Sequence, residues 1–194
     1  MIFDVDCESR VGSSPKKYGS ENQDAFAFDK TDNICCLCIA DGAGSRKHSA
    51  VGAKWLVYDL CSYMMHNSDT LFQAEEQQLT AMIMKRIKHS LDKTVRLQNV
   101  EFNELSSTLI CLLTDGVEYL IVHLGDGCVC AIRCGAFNVL SFPQNGSSRQ
   151  STALTTMPLA KSYIRTYKGK CSDIAIFWLL TDGLCIRCSE INMN

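Results

Sequence analysis

The chain has 194 residues, of which 46% are hydrophobic, so it is long enough for one well-filled domain and too short for two comfortable ones. We therefore expect a single domain over residues 1–194. The formal net charge is -2, and no run of Lys or Arg exceeds two residues, which gives no electrostatic reason to expect nucleic acid as a partner.

The N-terminal residues 1–6 do not have the pattern of a signal peptide. They carry two acidic residues and no basic stretch that leads into an apolar one. No apolar run in the sequence approaches the ~20 residues that a membrane-spanning helix needs. We therefore expect a soluble, cytoplasmic protein that does not bind a membrane.

The apolar runs and the helical patterns alternate in a way that predicts an α+β domain. Strands are predicted at 25–28, 34–40, 108–113, 119–124, 129–133, 137–142 and 174–180. Apolar spacing in between predicts two long helices, at 49–65 and 71–100, packed as a hairpin. The dipeptide Asp115-Gly116 predicts a tight turn between two of the strands. Strands, then helices, then strands indicate helices that cover a mainly antiparallel structure.

The twelve cysteines do not predict a disulfide scaffold, because many lie inside apolar runs, where we expect reduced, buried thiols. Cys35/Cys38 and Cys185/Cys188 have the Cys-x2-Cys spacing of zinc sites. The first pair would lie within a strand, where that spacing points the two thiols to opposite faces. A structural zinc or redox protein is therefore a remote alternative, and it would need a thiol in an electropositive setting.

Four aspartates share one local pattern, in which an apolar stretch ends and an Asp follows at or near a turn. They are Asp24, Asp41, Asp126 and Asp182, and glycine directly follows the last three. A strand end holds a carboxylate rigidly, and the glycine brings its carbonyl close to whatever the carboxylate binds. Such oxygen ligands suit Mg²⁺ or Mn²⁺. A single Asp-Gly step is weak evidence, since Asp115-Gly116 is predicted only to close a hairpin.

The order of these motifs resembles a known family. The matching segments are Asn22-Gln23-Asp24-Ala25, Ala40-Asp41-Gly42-Ala43-Gly44-Ser45, Ser106-Ser107-Thr108, Gly125-Asp126-Gly127 and Leu180-Thr181-Asp182-Gly183-Leu184. Together they are similar to the motifs of the metal-dependent type 2C serine/threonine protein phosphatases, over about residues 12–188. The second motif is most similar to the compact bacterial branch of that family.

The resemblance implies a fold and a set of metal ligands. The fold would be a four-layer α/β/β/α sandwich with two antiparallel sheets flanked by helices, with the metal centre at one end. Asp41 would bridge two Mg²⁺ or Mn²⁺ ions, the Gly42 carbonyl would complete one of them, and Asp182 would bind the other. Asp24 would hydrogen-bond to a water on the metal. Asp126 would bind a third, weaker metal or would be a plain turn residue.

The resemblance also implies hydrolysis of phosphoserine and phosphothreonine in a phosphorylated protein, such as a kinase or a kinase target. Two cations about 3.5–4 Å apart activate a water and neutralise the phosphoryl oxygens, so no side-chain nucleophile is needed. Consistent with this, no cysteine has an Arg six positions later, as a Cys-x5-Arg phosphate loop would require.

Two departures from the family pattern leave an alternative open. Where the family has an Arg or His for the substrate phosphate, this chain offers Lys16 and Lys17, which would either bind phosphate as point charges or be solvated loop residues. The family's C-terminal strand with a further Asp is expected to be lacking, since the sequence stops at Asn194, and either the chain is truncated or one metal position is poorly filled. His48 and His123 are possible substitutes, although His123 fits a hydrogen-bonded sheet residue better. The alternative is a weak or inactive phosphatase-like module that binds or regulates a phosphorylated partner.

Overall fold

The computed structural model describes residues 3–9, 22–144 and 152–182, and these ranges contain eight strands, four α-helices and one 3₁₀ helix. The strands are β1 Asp24–Lys30, β2 Cys35–Asp41, β3 Leu109–Thr114, β4 Glu118–Leu124, β5 Cys128–Arg133, β6 Ala136–Ser141, β7 Arg165–Lys170 and β8 Ile174–Leu180. The helices are α1 Ser49–His66, α2 Ser68–Gln73, α3 Glu76–Gln98, the 3₁₀ helix Phe102–Leu105, and α4 Ala160–Tyr163.

Five strands form one antiparallel sheet in the order β1-β2-β3-β4-β7. The predicted hairpin joins β3 to β4. The Asp115 carboxylate accepts the backbone N–H groups of Val117 at 2.8 Å and of Glu118 at 2.7 Å, which fixes the turn. Asp115 therefore has the purely structural role that the sequence predicted for it.

The other three strands form a second antiparallel sheet in the order β6-β5-β8. It packs against the inner face of the five-stranded sheet through a core of apolar side chains. That core includes Ile110, Leu112, Tyr119, Ile121 and Val129, with Phe177 edge-on to Tyr119. The two antiparallel sheets and the helices confirm the predicted α+β class.

The long helices cover the outer face of the five-stranded sheet. Helix α1 packs on β1 and β2, α3 packs beside α1, and together they bury the larger core of the molecule. The residues that the structure describes thus form three of the four expected layers. The helix predicted at 71–100 is interrupted, because Ala74 adopts an extended conformation (φ -65°, ψ 138°) and ends α2 before α3 begins.

Strand β7 was not predicted. It pairs with β4 at the edge of the sheet, and its sequence RTYKGK has three basic residues and one glycine. Edge strands are often protected by charged residues of this kind, which removes the apolar signal that prediction depends on. Within the described ranges, none of the helices combines the length and hydropathy needed to cross a membrane.

Candidate metal centre

Two of the candidate aspartates lie side by side at one end of the five-stranded sheet. Asp24 is the first residue of β1 and Asp41 is the last residue of β2, and antiparallel pairing places them directly opposite each other. Their side chains also hydrogen-bond to each other. Asp24 and Asp41 are 17 residues apart in the sequence, and their two motifs therefore form one local site.

The other two candidate aspartates lie at the corresponding end of the three-stranded sheet. Cys128, at the start of β5, pairs with Leu180, at the end of β8. Asp126 lies two residues before Cys128, and Asp182 lies two residues after Leu180. Because β4 leads directly into β5, this end of the second sheet lies next to the end that carries Asp24 and Asp41.

The electrostatics show that the four carboxylates converge. Burial first, and then the neighbouring Asp24, Asp182 and Asp126 carboxylates in that order, together raise the pKa of Asp41 to about 7. Burial also raises the pKa of Asp24, to which Asp182 adds. So much negative charge in one place is unfavourable unless a cation offsets it. The oxygen-only donor set fits Mg²⁺ or Mn²⁺.

The spacing of these acids suits more than a single small ion. Among the described residues, the one group of three metal-ligating side chains whose donor atoms all lie within 4.8 Å of one another consists of cysteines. The carboxylates are more widely spread. Ligands on opposite sides of a pair of cations must be farther apart than ligands of one ion, so the spread is compatible with a dinuclear site.

The backbone around Asp41 and Gly42 is held from three sides. The Asp41 N–H donates to Thr108 Oγ1 at 2.9 Å, and the Gly42 N–H donates to the Gln23 carbonyl at 3.1 Å. A Cβ atom on Gly42 would lie 2.9 Å from the Ser49 carbonyl carbon and 3.0 Å from the Gln23 oxygen. Only glycine fits this close approach, which brings the second motif against the start of α1.

Asp126 is oriented by a residue that the sequence did not single out. Thr152 Oγ1 donates to Asp126 Oδ2 at 2.7 Å, and Thr155, further along the same loop, donates its N–H to the Ser107 carbonyl at 2.9 Å. The segment that carries these two threonines is thus attached to the acidic end of both sheets. A threonine in a polar loop carries no signal that would have distinguished it.

The structure does not bring the remaining candidates to this site within the residues that it describes. Lys16, Lys17 and the pair Cys185/Cys188 fall outside the described residues. His123 hydrogen-bonds to Ser141 Oγ at 2.6 Å and to Arg165 at 3.1 Å, as expected for a sheet residue. A cleft of about 610 Å³ between residues 3–6, the middle strands and β8 includes none of the four convergent aspartates, so we do not assign it to this site.

Three comparisons with known proteins bear on this site. A family model described as protein phosphatase 2C matches residues 11–191. No curated protein matches in sequence. Among solved structures, a serine/threonine phosphatase from Staphylococcus aureus is 17% identical with a TM-score of 0.62, covering 87% of this chain and 73% of that one. A serine/threonine phosphatase from S. agalactiae is 16% identical with a TM-score of 0.55, covering 85% and 71%.

A sex determining protein from C. elegans is also similar in structure. It is 14% identical with a TM-score of 0.55, and the match covers 83% of this chain and 48% of that one. At these identities the structural matches show a shared fold. The family match rests on the sequence and covers nearly the whole chain.

Proposed function

Because this chain belongs to the protein phosphatase 2C family of protein serine/threonine phosphatases, we propose that it hydrolyses phosphoserine and phosphothreonine in proteins with the help of two Mg²⁺ or Mn²⁺ ions. The observation that carries this proposal is the convergence of Asp24, Asp41, Asp126 and Asp182 at one end of the two sheets. We further propose that the substrate is a kinase or a kinase target in the cytoplasm.

In this proposal each residue of the site has a distinct role. Asp41 lies centrally and would contact both ions, the Gly42 carbonyl would complete one of them, and Asp182 would hold the other. Asp126, oriented by Thr152, would hold a third and weaker ion. When bound, the ion pair supplies an activated water and offsets the charge of the phosphoryl oxygens.

The other contributions come from the chain itself. Asp24, hydrogen-bonded to Asp41, would orient a water by accepting a hydrogen bond from its O–H. Thr108 and Gln23 hold the Asp41-Gly42 backbone, so that the carboxylate and the carbonyl are positioned before the ions bind. Lys16 or Lys17 would contact the substrate phosphate.

A second candidate function is a weak or inactive phosphatase-like module that binds a phosphorylated partner. It is favoured by the exposure of Asp182, because a ligand that faces solvent is held less rigidly than the half-buried Asp41 and binds metal more weakly. In that case the fold and the phosphoprotein partner would be retained while turnover would be slow or absent.

The decisive experiment measures phosphate release from a phosphothreonine peptide with and without Mn²⁺. We expect Mn²⁺-dependent turnover in the wild type and a loss of at least about 100-fold in Asp41→Asn, because electrostatic stabilisation of this kind contributes several kcal/mol. The matched control is Asp115→Asn, which changes the same chemical group in the hairpin turn and should retain activity. Turnover without a divalent ion would refute the metal mechanism.

Calorimetry with Mn²⁺ separates the two candidate functions. Binding of Mn²⁺ that is reduced by Asp41→Asn supports the enzyme, even if the substrate chosen is poor. No binding at millimolar Mn²⁺, together with binding of a phosphorylated partner, would select the inactive module.

A further inference from the structure

Three buried cysteine sulfurs meet between the five-stranded sheet and helix α1. Cys36 and Cys38 are two residues apart on β2 and therefore point to the same face of the sheet, where Cys61 of α1 meets them. The three Sγ atoms lie within 4.8 Å of one another, and those of Cys36 and Cys38 are 3.9 Å apart. Each residue is at most 3% exposed. We call these three residues the thiol cluster.

A fourth thiol borders the thiol cluster. Cys111 on β3 is the cross-strand partner of Cys38 and is fully buried. Directly paired residues on neighbouring strands share a face of the sheet, and the Cys111 and Cys38 thiols interact by a hydrogen bond. A fourth buried cysteine thus lies beside the thiol cluster, next to Cys38.

The sulfur spacing is close to that of a metal-thiolate site. With Zn–S bonds of about 2.3 Å, tetrahedral geometry places neighbouring sulfurs roughly 3.8 Å apart. The 3.9 Å separation of Cys36 and Cys38 already fits that spacing. The 4.8 Å limit on the third sulfur leaves a movement of about 1 Å or less, which a single rotamer adjustment can supply.

The chemistry of the thiol cluster selects a soft cation. Its donors are all sulfur and its surroundings are the apolar core between α1 and the sheet, which excludes Mg²⁺ and Mn²⁺. Hydrogen bonds from Cys36 and then Cys38 lower the pKa of the Cys61 thiol, whereas burial raises that of Cys38. The Cys61 thiol now donates to the Cys36 carbonyl oxygen, 3.6 Å away, and a bound metal would replace that proton.

We propose that the thiol cluster is a structural site for one thiophilic cation, Zn²⁺ or Cu⁺, bound by Cys36, Cys38 and Cys61 with Cys111 beside them. The ion would tie helix α1 to strand β2. Each cysteine that binds as a thiolate releases one proton, so no oxidant or reductant takes part. The site uses different residues and a different ligand class from the acidic centre, and it stands whether or not the chain is an active phosphatase.

A second cysteine pair provides a matched control. Cys128 and Cys130 also lie two residues apart on one strand, with their Sγ atoms 3.8 Å apart. In the described part of the chain no third ligand joins them within 4.8 Å. Cys35 is adjacent to the thiol cluster on β2 but belongs to the opposite face of the strand.

The test compares two triple variants of the full chain, because the sulfurs are buried and the ion has to enter during folding. Wild type, Cys36→Ala/Cys38→Ala/Cys61→Ala and Cys35→Ala/Cys128→Ala/Cys130→Ala are refolded under reducing conditions with Zn²⁺, or with Cu⁺ in parallel. After removal of excess metal, native mass spectrometry counts the bound ions. We expect the thiol-cluster variant to retain one ion fewer than the control, and the metal that shows this difference identifies the occupant.

Equal ion counts in both variants with both metals would overturn the proposal. If the thiol-cluster variant does not fold, alkylation of the wild type decides. Refolded with metal, the wild type should protect Cys36, Cys38 and Cys61 from alkylation during partial unfolding relative to metal-free protein. Equal alkylation of these three residues with and without metal would show that they are only small apolar residues of the core.

Discussion

His123 is a buried histidine that the fold holds in its neutral form. It lies on β4 with no exposed surface, beside Ser141 and the guanidinium of Arg165. Burial, and after it the positive charge of Arg165, lowers the pKa of His123 to about 3. The ring therefore accepts a hydrogen bond from Arg165 at neutral pH instead of repelling it.

The lowered pKa predicts how stability depends on pH. In the unfolded chain the His123 ring takes up a proton near pH 6.5, but in the folded protein it does so only near pH 3. Its contribution to stability is thus fully present above pH 6.5 and is lost as pH falls toward 3. We expect His123→Gln to flatten this part of the pH profile of the unfolding free energy, measured by urea denaturation. His89→Gln, on the exposed face of α3, should keep the wild-type slope.

The sequence predicted single residues where local pattern and chemistry coincide. Asp41 and Asp126 were recognisable because each follows an apolar run at a turn, and the structure places Asp41 at the end of β2 and Asp126 two residues after β4. Asp24 was recognisable through its motif, and it is the first residue of β1. The thiol cluster was not recognisable. Cys36 and Cys38 share a face of β2, but they do not have the Cys-x2-Cys spacing that is typical of zinc sites. No local sequence pattern indicates that Cys61 of α1 contacts them.

At the scale of elements, Gly52 sets how closely α1 approaches the 3₁₀ helix. A Cβ atom there would lie 2.2 Å from the Leu105 carbonyl oxygen and 2.8 Å from its carbon. In an exposed helix alanine would be the better residue by about 1 kcal/mol. Here we expect Gly52→Ala to lower the unfolding free energy by roughly 1–3 kcal/mol, because the clash is with backbone atoms that cannot move aside.

The matched control for Gly52 is Gly44→Ala. The nearest atom to a Cβ on Gly44 is Gln23 Oε1 at 3.5 Å, an ordinary contact. Its unfolding free energy should therefore stay within about 0.5 kcal/mol of the wild type in chemical denaturation. If both substitutions had the same small effect, the close packing of α1 on Leu105 would be wrong.

Elements with an apolar face were predictable, and elements defined by their neighbours were not. The central strands β3 and β4 are almost wholly buried, so their apolar runs identified them. Strand β7 has mostly exposed or half-buried residues and exists because β4 provides hydrogen-bonding partners. The break between α2 and α3 at Ala74 was not predicted either, because the residues on both sides of it favour a helix.

At the scale of the whole molecule, the candidate site depends on an arrangement of sheets that periodicity does not contain. Asp41 belongs to one sheet and Asp126 lies two residues before β5 of the other, so their proximity follows from how β4 continues into β5. The ordered motifs indicated this proximity only through the resemblance to a family. The strand pairing and the electrostatics supply the physical reason.

The converging carboxylates also destabilise the metal-free protein. Burial and the neighbouring acids raise the pKa of Asp41 to about 7, so at pH 8 its charge opposes folding. We expect Asp41→Asn to raise the unfolding free energy of the metal-free protein by roughly 1–2 kcal/mol, the shift being discounted because Asp41 is only partly buried. The measurement is urea denaturation at pH 8 with a chelator present.

Addition of Mn²⁺ should make the wild type more stable than the Asp41→Asn variant. A cation that binds only the folded wild type stabilises it in proportion to the logarithm of its concentration above the dissociation constant, and offsets the repulsion among the four acids. The Asp41→Asn variant has lost the central ligand and should gain less. A wild type that is more stable than the variant even without metal would mean that Asp41 supports the fold by its hydrogen bonds. A variant that is more stable without Mn²⁺ and less stable with it would show that this end of the molecule is organised for binding cations at the expense of stability.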